Sequence, residues 1–82
     1  MSQKELIFDY VQWQGRVSKY GIYRYFRFVS GDIISLETIE IWLKELKEEG
    51  RIVDTITSKI QFYMTKGYYD KLGEREGQGT FL

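Results

Sequence analysis

At Gly50 the hydrophobic period of this sequence changes from that of a helix to that of a strand, a switch that few folds accommodate in 82 residues. Before it, Ile39, Leu43 and Leu46 fall on one helical face. Ser35 stands in the N-cap position, Ile34 is placed to staple against Ile39, and Glu37 lies in the first turn, where the helix dipole favours a carboxylate. Gly50 itself occupies the place of a left-handed cap. After it, Ile52, Asp54 and Ile56 alternate with Val53 and Thr55, and Ile60, Phe62 and Met64 alternate with Gln61, Tyr63 and Thr65. Thr57, Ser58 and Lys59 join the two runs, so the stretch predicts an amphipathic helix followed directly by a β-hairpin.

Two helices precede it. Ser2 and Glu5 have the spacing of a capping box, Leu6, Ile7, Tyr10 and Val11 form the apolar stripe behind them, and Gly15 ends the element. Phe8 and Trp13 lie off that stripe, so one of them is expected at the surface, where an aromatic side chain more often marks a dimer seam than a pocket. Val17, Ser18 and Ile22 repeat the staple and cap, which predicts a second helix from about Lys19 to Phe28. Ile22, Tyr25, Phe26 and Val29 are expected to point inward. Ser30, Gly31 and Asp32 then form the turn into the third helix. After the hairpin, Thr65 can cap a short final helix from Lys66 to about Leu72, ended by Gly73, with Tyr68, Tyr69 and Leu72 available for packing.

A glycine-capped helix, an immediate strand, a hairpin and then a Tyr-Met-Thr-Lys-Gly opening of another helix resembles the winged helix-turn-helix regulators, above all the MarR and PadR types. The residues that carry the resemblance are Thr38, Ile39, Leu43, Leu46, Gly50 and Ile52, followed by Tyr63, Met64, Thr65 and Gly67. It implies an α+β fold: three helices, a C-terminal two-stranded wing and a short final helix, in a domain covering residues 1–73. Residues 74–82, glycine-bearing and without periodicity, are expected to form a mobile tail.

Composition narrows the function classes. There is no Cys and no His, which removes disulfides, thiol chemistry and the usual zinc, haem and copper ligands. No metal or cofactor is expected. A hydrophobic content of 43%, with seven Tyr, five Phe and two Trp, supplies one packed core and excludes a disordered chain. No apolar run approaches the roughly 20 residues of a membrane span, and Met-Ser-Gln-Lys-Glu lacks a signal-peptide layout, so a cytoplasmic location is expected. Every carboxylate has a reading as a cap, a dipole partner or a surface ion pair, and no nucleophile and base stand together, which argues against an enzyme.

Net charge is zero, but its distribution is polar. Residues 10–31 hold Arg16, Lys19, Arg24 and Arg27 and no acid, whereas residues 32–54 hold seven acids against Lys44, Lys47 and Arg51. Tyr20, Tyr23, Arg24 and Arg27 share the outer face of the second helix. Arg16, Ser18, Lys19, Tyr23, Arg24 and Arg27 therefore read either as a phosphate-contacting surface, aided by the helix N-terminus, or as an ordinary solvated face. On the third helix the outward positions are Glu37, Glu40, Ile41, Lys44 and Glu48. Carboxylates suit a groove only where they accept from cytosine amino groups, and Glu40 with Lys44, or Lys44 with Glu48, also reads as a surface ion pair. Ile41 fits a thymine methyl or an apolar contact with another protein. Lys59 at the hairpin tip and Arg51 at its base are candidate phosphate contacts if the wing lies on DNA, as it does in the family, or parts of a solubilising turn if it does not.

The resemblance implies a transcription regulator, similar to small archaeal, viral or plasmid winged-helix proteins, acting as a homodimer on a two-fold site in double-stranded DNA. The alternative is a winged helix turned into a protein-interaction module, reached through the third helix or through Phe81 and Leu82 in the tail. Neither reading involves a membrane.

Overall fold

The period switch at Gly50 is a helix-to-strand corner in the computed structural model, which describes residues 2–72. Helix α3 (Leu36–Glu48) leads into it. There the Gly50 amide donates to the Lys47 carbonyl and the Arg51 amide to the Leu46 carbonyl, each at 3.0 Å, with Gly50 at a φ of 74°. This paired closure satisfies the last carbonyls of the helix and requires a residue without a Cβ at the left-handed position. The Ser35 side chain accepts from the Thr38 amide at the other end, and Ile34 and Ile39 are both buried, as cap and staple require.

Helix α1 (Gln3–Gln14) begins at the Ser2 cap and buries Ile7 and Val11. Only half of the expected capping box forms. Ser2 accepts from the Glu5 amide, but the Glu5 carboxylate reaches away to Arg51. Strand β1 (Arg16–Ser18) follows, and helix α2 (Lys19–Tyr25) starts from the Ser18 cap. The chain then widens into a π-helical turn, Phe26–Ser30, closed by Gly31 at a φ of 81°. Here the inward position expected for Val29 is corrected. The wider i→i+5 winding carries it out of line with buried Ile22 and Phe26, and it is 72% exposed.

Strands β2 (Ile52–Thr57) and β3 (Ile60–Thr65) form the hairpin, pairing Ile52 with Thr65 and Thr57 with Ile60. The loop is therefore Ser58 and Lys59 alone, both at positive φ (53° and 68°), the backbone of a primed two-residue turn. β1 adds to the other side of β3, with Val17 opposite Tyr63, giving a three-stranded antiparallel sheet in the order β1-β3-β2. The wing thus has a third strand that the sequence reading did not include. Three residues are too few to display a period of two, and β1 exists only because β3, some forty residues later, supplies its hydrogen bonds. Residues 66–72 form the final helix, α4, whose Tyr68 amide donates to the Thr65 hydroxyl. The domain boundary expected at residue 73 and the tail beyond it lie outside the described residues.

The core sits where α3 packs on both α1 and α2, with Ile7, Ile22, Leu43, Leu46 and Ile52 almost wholly removed from solvent. No described helix is long and apolar enough to cross a membrane.

Candidate nucleic-acid interface

Helical geometry turns Tyr20, Arg24 and Arg27 away from buried Ile22 and Phe26, whereas Lys19 and Tyr23 lie at the edge of the buried face and are half-buried, Tyr23 packing against the core. Arg24 and Arg27 are exposed. Arg27 donates to the Tyr23 hydroxyl at 3.0 Å, and its guanidinium lies 6.0 Å from the Tyr23 ring centre and 5.6 Å from that of Phe28. Arg16, on β1, stands 4.6 Å over the ring of Phe62, which fixes the cation without neutralising it. Among the described residues none of these three arginines has an acidic partner within salt-bridge distance.

The hairpin folds its tip back toward the start of α2. Ser18, Lys19 and Tyr20 line one wall of a groove of about 390 Å³, and Lys59, Ile60 and Gln61 line the other. Two cations distant in sequence are thereby brought to one place. Ser18 is half-buried, its hydroxyl accepting from the Gly21 amide at 3.1 Å. Lys19 forms an ion pair with Glu40 of α3 at 2.5 Å, and that hydrogen bond raises its pKa above the ordinary lysine value.

On and just after α3, the charged side chains that form ion pairs among the described residues do so with other elements and not along the helix. Glu40 takes Lys19, Glu45 and Glu49 take Lys4 of α1, and Lys47 reaches Asp54 of β2 at 3.0 Å. The expected pairs of Lys44 with Glu40 and with Glu48 do not form among the described residues. Lys44 instead stands exposed beside Glu37 and Ile41, the latter 59% exposed. Behind the helix, Asp54 also accepts from Gln61 at 2.6 Å, and burial pushes the neighbouring Tyr63 hydroxyl up.

Arg51, a candidate phosphate contact at the base of the hairpin, is engaged within the protein. Both outer nitrogens donate to the Glu5 carboxylate, at 2.9 and 3.1 Å, and the guanidinium lies 4.1 Å from the Phe8 ring centre. It holds the base of the hairpin to α1. The sequence reading also gave no role to Phe28. Its signal is present, an aromatic residue adjoining Arg27 in a stretch without acids and two residues after buried Phe26, on the opposite side of the helix.

No protein-family model and no curated protein sequence matches the chain. Solved structures do. A HOP2 chain, from work on that protein's DNA recognition and protein interaction domains, superposes with a TM-score of 0.67 at 18% identity, over 79% of this chain and all of that one. Bacillus subtilis PadR, solved in complex with operator DNA, superposes with a TM-score of 0.65 at 25% identity over 87% of this chain. The match takes in 44% of PadR, so this chain spans less than half of that protein's length. With its three helices, wing of antiparallel strands and closing helix, this chain has a winged helix-turn-helix fold like those of the two solved structures.

Proposed function

We propose that the chain is the DNA-binding domain of a transcription regulator, acting as a homodimer on two-fold sites in double-stranded DNA. The observation that carries the reading is the set of three arginines, Arg16, Arg24 and Arg27, on and beside the outer face of α2, none with an acidic partner among the described residues. In this proposal they meet phosphates together with Ser18, Lys19, Tyr23 and the wing residue Lys59, while Glu37, Ile41 and Lys44 of α3 stand at the major groove. Glu40 contributes indirectly by holding Lys19, and Arg51 by fixing the hairpin to α1. The PadR structure supports this direction, since that protein was solved in complex with operator DNA and 44% of it superposes on this chain.

Fluorescence anisotropy with a random duplex of about 25 base pairs tests it at two salt concentrations. Counterion release predicts a slope of roughly −0.9 per phosphate contact, and Arg24→Ala/Arg27→Ala is expected to reduce it by roughly 2. Absence of binding at low salt in the native chain refutes the reading. A protein-interaction module is favoured by one observation, the exposed Ile41 flanked by acidic residues. That alternative predicts salt-independent partner capture abolished by Ile41→Glu.

A further inference from the structure

Between α1 and the outer face of α2 lies more aromatic surface than phosphate contact requires. Tyr10 of α1 stacks on Tyr25 with ring centres 4.1 Å apart and planes 18° from parallel. Trp13 lies edge-on to both, and Phe28, 72% exposed, stands on the far side. Tyr10, Tyr25 and Phe28, with Gly21, Arg24 and Val29, line an open groove of about 350 Å³. Gly21 contributes only backbone to the α2 side of this groove, and a Cβ there would lie 2.9 Å from the Val17 side chain. Arg24 at the rim and Arg27 against Phe28 supply positive charge with no acid among the groove residues. The neighbouring groove, between Trp13 and Ser30, includes Asp9 and so repels a phosphate chain.

Duplex DNA offers edges and phosphates, since its base faces are already stacked on one another. A single strand offers the faces themselves, and proteins hold it by pairing cations with exposed aromatic rings. We propose that the groove between Tyr25 and Phe28 binds a base of single-stranded nucleic acid, stacked on Phe28, with Arg24 and Arg27 on the flanking phosphates. The inference rests on the reading that the α2 face meets nucleic acid, and adds to it a strand-separated ligand.

The test compares anisotropy on a labelled dT20 strand, an abasic strand of equal length and a 25-base-pair duplex, with the native chain, Phe28→Ala and Phe28→Trp. Alanine replacement of a stacking ring costs roughly five- to a hundred-fold in single-strand affinity. The expected result is preference for dT20 over the abasic strand, loss of that preference in Phe28→Ala with duplex affinity unchanged, and its retention in Phe28→Trp. Binding of rU20 in the same manner meets the same expectation, because the contact is to the base. Equal affinity for dT20 and the abasic strand overturns the proposal, as does a Phe28→Ala change that weakens duplex and single strand alike. Sedimentation showing that Phe28→Ala converts a dimer to a monomer also overturns it, and assigns the groove to a second copy of this chain. Salt-sensitive duplex binding without base preference leaves the regulator reading standing and removes this one; dT20 binding without duplex binding does the reverse.

Discussion

The guanidinium of Arg51 stacks on Phe8 while both its outer nitrogens donate to Glu5, so one side chain joins the hairpin base to α1 by a planar, bidentate contact. Its pairing holds the Glu5 carboxyl below the ordinary range. Arg51→Ala is expected to lower the melting temperature by several degrees and to leave the salt slope of duplex binding unchanged in the folded protein; a slope reduced by roughly 1 without a loss of stability would return this residue to the phosphates. Its charge and its place after the helix cap were legible in the sequence, but its partners were not. Glu5 lies 46 residues away, and nothing local distinguishes an arginine that will meet a carboxylate from one that will meet a phosphate. Glu40 gives the same lesson in reverse. Spacing offered it Lys44, whereas packing of α2 on α3 delivers Lys19.

Among elements, the hairpin and the π turn are set by different kinds of information. The hairpin follows from alternation, which fixes both strands and their register, yet its tip holds Ser58 and Lys59 at positive φ, where Asn and Gly are at ease. A left-handed conformation costs an ordinary L-residue about 1–2 kcal/mol. Ser58→Asn/Lys59→Gly is therefore expected to stabilise the protein by about 1 kcal/mol in a denaturant melt, and to reduce the salt slope of duplex binding by roughly 1 as the wing cation goes. Opposite signs for stability and binding would separate the roles of turn backbone and turn charge. The π turn has no such signature. Phe26 and Val29 are three apart and read as one helical face until the wider winding turns Val29 outward.

At the scale of the molecule, ion pairs tie the helices to one another and to the sheet: Lys4 to Glu45 and Glu49, Lys19 to Glu40, Lys47 to Asp54, Arg51 to Glu5. Hydrogen bonds from Arg51, Lys4 and Lys47 hold Glu5, Glu49 and Asp54 below their ordinary pKa values, so these pairs stabilise the fold above the usual carboxylate range and lose that contribution as pH falls through the lowered values. Lys4, Lys19 and Lys47 are raised, and their contribution is lost only as pH rises through the raised lysine values. With no His in the chain, the melting temperature is expected to be flat from about pH 5 to about pH 9 and to fall on either side, as calorimetry across that range would record. The sequence by itself determined the helices, their caps, the hairpin and the positive charge of the α2 region, because caps, turns and hydrophobic period act between residues close in the chain. Tertiary structure decided the third strand, the groove beside Phe28 and which charges are neutralised. Those depend on β1 meeting β3, on the winding that follows Phe26, and on side chains distant in sequence arriving within a few ångströms of one another.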